Sequence, residues 1–79
     1  MIVYDVVQTI EPGARTSDPP GRWLVTHRDR AADAYTYCYR CNECNRLPGV
    51  RFAVEPHDEE SPRRAEYLAD YHRRMKYAS

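Results

Sequence analysis

Hydrophobic and polar residues alternate along four short stretches of the chain, and apolar residues fall at helical spacing only towards its C-terminus. From Ile2 to Ile10, Ile2, Tyr4 and Val6 alternate with Val3, Asp5 and Val7, which predicts a strand with one mostly buried face. Arg22–Arg28 predicts a second strand, with Trp23, Val25 and His27 on one face and Leu24 and Thr26 on the other. Tyr35–Arg40 predicts a third, with Tyr35, Tyr37 and Tyr39 along one side, and Val50–Val54 a fourth, with Val50, Phe52 and Val54 inward.

The intervening stretches read as connections. Glu11–Gly21 holds three prolines and two glycines and must be loop, long for a hairpin. Asp29–Ala34 reads as a turn or a single helical turn, Asn42–Gly49 as a turn, and Glu55–Glu60 as a solvated acidic loop. Ser61 and Pro62 then suit the N-cap and first position of a helix over about residues 62–77. At 100° per residue, Tyr67, Leu68, Tyr71, His72, Met75 and Ala78 gather on one face, while Arg63, Glu66, Asp70, Arg73 and Arg74 gather opposite. The expected fold is α+β: one domain spanning residues 1–79, with a small antiparallel sheet of about four strands and one C-terminal helix packed across it.

Length sharpens this picture. Seventy-nine residues lie near the size at which a single core is marginal without a metal, a disulfide or a partner. Three cysteines, Cys38, Cys41 and Cys44, are the only ones in the chain and sit within seven residues. An odd, clustered set is a poor disulfide framework and suits a reducing compartment. The opening Met-Ile-Val-Tyr-Asp lacks the basic and apolar regions of a signal peptide, and no apolar run is long enough to span a bilayer. A cytoplasmic protein without membrane contact is expected.

Thiolates at this spacing can converge on a soft metal ion. In a zinc site, Cys41 and Cys44 form the natural knuckle around Asn42 and Glu43, with Cys38, His27 and His57 as the further ligand candidates. An iron–sulfur or thiol redox protein is a second reading, because C-x2-C-x2-C opens the bacterial ferredoxin run; here Pro48 stands where the fourth cysteine would be. Plain reduced thiols with no metal are the third.

The charge is balanced at twelve basic and twelve acidic residues, but segregated: residues 22–51 carry +3, 52–61 carry −4 and 62–79 carry +3. A nucleic-acid-binding domain usually shows a basic excess. A zinc-stabilised nucleic-acid binder therefore stands only as the alternative, with Tyr35, Tyr37 and Tyr39 stacking on bases and Arg40, Arg46 and Arg51 on phosphates. No P-loop, dinucleotide fingerprint or nucleophile elbow is present, and nothing sets one of the three histidines against a particular thiol. The chain reads as non-enzymatic.

Tyr, Trp and Arg make up nineteen of the 79 residues, and these types dominate protein interfaces. The function expected is therefore a small protein-binding module that uses Tyr35, Tyr37, Tyr39, Arg40, Arg73 and Arg74. Inhibitors carried by mobile elements, such as anti-CRISPR and other anti-defence proteins, have this general form, so a larger nucleic-acid-processing or defence complex is the expected partner by analogy alone.

Overall fold

The computed structural model describes residues 1–16 and 19–78, with residues 74–78 as helix backbone only. Its elements run β1 (Ile2–Ile10), β2 (Gly21–Arg28), α1 (Ala31–Cys44), β3 (Val50–Asp58) and α2 (Pro62–Ala78). The strands form one antiparallel sheet in the order β2–β1–β3. The class is α+β as expected, with three strands and two helices in place of four strands and one.

The missing strand is α1. Tyr35, Tyr37 and Tyr39 do alternate, but Ala31, Ala34 and Cys38 also recur at helical spacing, and the alanines favour helix. Ala34 and Cys38 pack on Val6 of β1, with Tyr4, Val25, Tyr37, Phe52 and Val54 around them. On the other side of the sheet, Tyr67 of α2 packs on Val7 and Leu24, flanked by Leu68 and Tyr71. The sheet is thus covered on both faces, one helix to each. This explains why β1 buries Val3, Val6, Val7 and Ile10 on both sides rather than on one, since a central strand covered twice reads as an almost continuous apolar run.

One step in register and one longer strand move candidate residues. The β1–β2 pairing steps between Val6, opposite Thr26, and Val7, opposite Leu24, so Val25 is an extra residue. Beyond this bulge His27 lies opposite Asp5, on the α2 face, instead of sharing a face with Trp23. Strand β3 also runs on to Asp58, so Glu55 and His57 are strand residues and not part of an acidic loop.

The turn from α1 into β3 is closed by Gly49, whose φ of 82° suits glycine and whose carbonyl accepts from the Glu11 amide at 2.8 Å. Two asparagines fasten the end of α1 to the outer edge of β3. Asn42 donates to the Phe52 carbonyl at 3.0 Å and accepts from the Phe52 amide at 3.1 Å, and Asn45 donates to the Val50 carbonyl. Helix α2 begins at Pro62 as expected, with the Ser61 carbonyl accepting from the Ala65 amide at 3.0 Å. Its packing stripe is Arg64, Tyr67, Leu68 and Tyr71, while His72, expected on that face, is exposed. Met75 and Ala78, expected on the same face, lie outside the residues whose side chains are described.

Candidate functional site

Two places carry chemistry, and the sheet separates them. On the α2 face lies a buried ionic cluster. Asp5, fully buried in the central strand, stands directly opposite Glu55 of β3, an unfavourable like-charge pair on its own. Basic side chains from three elements surround it. His57 places Nδ1 2.9 Å from Asp5 Oδ2 and Nε2 3.2 Å from Glu55 Oε1. Arg64, 8% exposed, brings Nε to 3.4 Å from Asp5 Oδ2, and Arg22 pairs with Glu55. The Tyr67 hydroxyl donates to Glu55 at 3.5 Å and accepts from Arg63 Nε at 3.2 Å, while Arg22 and Arg63 each lie 6.0 Å from its ring centroid.

These groups are committed to one another. The cluster ties both edge strands and α2 to β1: His57 and Arg64 converge on Asp5 Oδ2 and the imidazole bridges to Glu55, while Asp5 Oδ1 is buried without a hydrogen bond. The sequence does not announce the pairing of Asp5 with Arg64, and Glu55, expected in a solvated acidic loop, is drawn into the cluster instead. The one signal was an acidic residue inside an apolar strand, which a buried position tolerates only when paired.

On the other face, α1 carries the cysteines at successive steps of three residues, where a helix spreads them around its surface. Cys38 is buried against the sheet, Cys41 is half-buried and Cys44 is exposed. Cys41 and Cys44 share an open cleft of about 320 Å³ with Gln8, Asn45, Leu47, Val50 and Phe52. His27 and His57 lie across the sheet from the thiols, so the mixed cysteine–histidine set is not brought together. Among the described residues no three His, Cys, Asp or Glu side chains are grouped to hold a metal.

Burial pushes the Cys38 thiol above its ordinary value, helped by the neighbouring Cys41 and opposed by a hydrogen bond from Asn42. Burial also raises Cys41, with Cys44 adding to it and Tyr37 opposing. Both stay neutral to higher pH than a free thiol. Between 9.0, the ordinary value, and the raised one, the native state holds a proton that the unfolded chain has lost. Stability should therefore be constant below that window and fall as pH rises through it. Denaturant titrations should show a smaller alkaline loss in Cys38→Ala than in the parent, and an equal loss would remove burial of Cys38 as its cause. Alkylation at pH 8 followed by mass spectrometry should label Cys44 first and Cys38 last.

The expected partner-binding residues divide. Tyr35 and Tyr39, one helical turn apart, are 58% and 64% exposed. With Thr36, Cys38 and Asn42 they line an open groove of about 480 Å³, free of charged side chains. Tyr37 points the other way, half-buried, with the Arg28 guanidinium 5.3 Å from its ring centroid. Arg40 borders a second hollow with Arg28, Asp33, Thr36 and Tyr37. Arg73 is exposed on α2 and pairs with Asp70 at 3.0 Å, and the Arg74 side chain lies outside those described.

The phosphate-contact trio is likewise split. Arg46 is in the α1–β3 turn, and Arg51 is held by Glu11 at 2.9 Å on the α2 face, where Thr9 faces it across the sheet. No helix of the described residues is long and apolar enough to cross a membrane. No protein-family model matches the chain, and neither does any curated protein or any solved structure.

Proposed function

We propose that this chain is a small non-enzymatic protein-binding module that meets its partner through the Tyr35–Tyr39 flank of α1. The observation that carries the reading is two large aromatic side chains, more than half exposed and one turn apart, beside an uncharged groove. A domain this small has little apolar surface to spare, and exposed tyrosines on a rigid helix suit interface anchors, because their area comes with few rotatable bonds. The buried acid–base groups Asp5, Glu55 and His57 are engaged with one another under α2, which favours a structural role for that cluster over catalysis.

A module that only binds acts by occupying a surface. By analogy of form, we extend the proposal to inhibition of a larger nucleic-acid-processing or defence complex. The test is capture from cells in which the protein is made. The parent chain should retain one defined protein that the Tyr35→Ala/Tyr39→Ala variant, folded and with an unchanged melting temperature, loses by tenfold or more. Equal capture by both would refute the assignment of this flank.

A further inference from the structure

Resting on the protein-binding reading, we propose that the outer edge of β3 at Val54 and the Tyr35–Tyr39 flank of α1 together accept an extended, arginine- or lysine-bearing segment of another protein as a short added strand. Both polar backbone groups of Phe52 bond the Asn42 side chain, so they point away from β1. Directions repeat every second residue in a strand, so the Val54 amide and carbonyl and the Pro56 carbonyl point outward too. Among the described residues these three groups have no partner within the chain.

The open stretch is bounded on both sides. Asn42 occupies the edge at Phe52, and Pro56 offers a carbonyl but no N–H. A guest residue opposite Val54 can exchange two hydrogen bonds with it, and the guest residue two positions away can donate to Pro56. These two stops limit pairing to a short register and prevent open-ended sheet growth.

The groove beside this edge supplies side-chain contacts. Val54 packs on the cluster containing Cys38, and Cys38 lines the groove with Tyr35 and Tyr39. A peptide lying between a strand edge and a helix flank is a familiar mode of strand addition, in which backbone bonds hold the guest and alternate side chains select it.

Charge and geometry choose the guest. A second copy paired antiparallel about Val54 would set Pro56 against Phe52, whose amide and carbonyl Asn42 already holds, so self-pairing is frustrated. Towards its far end the edge leads into the acidic run Asp58, Glu59 and Glu60, and Asp58 is on the α1 side of the sheet, opposite Ile2. Tyr35 and Tyr39 present ring faces that a guanidinium or ammonium group can cover. An extended basic segment satisfies all three features, whereas an acidic one meets repulsion at the β3 end.

The experiment uses the full chain labelled with ¹⁵N and two blocked hexapeptides, one alternating arginine with valine and one alternating glutamate with valine. The arginine peptide should bind at least tenfold more tightly. It should shift the Val54 amide resonance most and slow its hydrogen exchange at least tenfold. Tyr39→Ala, with melting unchanged, should weaken it at least fivefold.

Equal affinity for the two peptides, no binding, or a shift confined to β2 would overturn the proposal, as would tighter binding of an oligothymidylate than of the arginine peptide. If the peptide fails but the double tyrosine variant still loses its captured partner, only this mode of docking falls. If that variant keeps its partner, both proposals fall.

Discussion

Asp5→Ala should be the most damaging single substitution in the chain, lowering stability by about 3–5 kcal/mol. Its carboxylate is fully buried in the central strand, and His57 and Arg64 both converge on Oδ2. Removing it leaves the Arg64 guanidinium buried without its carboxylate and His57 Nδ1 without its acceptor, with Glu55 alone still beside the imidazole. Leaving such charges unpaired costs more than the pairing itself contributed, because desolvation is then uncompensated. A domain of this length loses about 4–8 °C of melting temperature per kcal/mol, so thermal unfolding should move by tens of degrees. The control is Asp5→Leu combined with Arg64→Met, which swaps charges for apolar volume and should recover a large part of the loss. A shift of only a few degrees in Asp5→Ala would mean that water reaches the cluster.

Tyr67→Ala should follow closely, at about 3–5 kcal/mol, as for other large aromatic truncations in a core. The ring fills the space between α2 and the pair Val7 and Leu24, stacks obliquely on His57 at 5.9 Å between centroids, and lies beneath two arginines. Tyr67→Phe isolates the hydroxyl, whose bonds to Glu55 and Arg63 are long at 3.5 and 3.2 Å, and should cost only about 1 kcal/mol. Chemical denaturation of the two variants separates packing from polar contact. Similar losses in both would transfer the role of Tyr67 from its ring to its hydroxyl. Because Tyr67 and Asp5 share Glu55 and His57 as neighbours, the two truncations should not be additive.

Strands β1 and β2 and the start of β3 were legible because β-branched and aromatic residues alternate between clear loop signals. The Ser61–Pro62 start of α2 was legible because its chemistry is local. Helix α1 was not, because in Tyr35–Arg40 every second residue is tyrosine while the helical repeat rests on small residues, Ala31, Ala34 and Cys38. Alternation of large side chains outweighed periodicity of small ones, and the packing that decides between them is tertiary. The two-sided burial of β1 was written in the adjacent Val6 and Val7, which only a strand covered on both faces can bury together.

The ionic cluster lay beyond sequence reasoning, since Asp5 and His57 are 52 residues apart. A bulge at Val25 also inverts the face of His27, and no local residue type announces it. The tyrosine flank was half legible. Tyr35 and Tyr39 do share an exposed flank, whereas the strand period that would join Tyr37 to them is not the period of the helix.

The central position of the first strand governs the order in which this chain can assemble during synthesis. β1 emerges from the ribosome before the strands that flank it, with apolar side chains on both faces and bare backbone on both edges. β2 can join it early, but β3, His57 and Arg64 follow only after some fifty further residues, roughly 3–10 s at ordinary elongation rates. Through that interval the nascent chain holds a sticky two-stranded ribbon with an unpaired carboxylate buried nowhere. Closing the sheet is a long-range event, which slows folding relative to a helical protein of the same size. Yield in cells should therefore depend on chaperone capacity and translation speed more steeply than the finished molecule's stability would suggest.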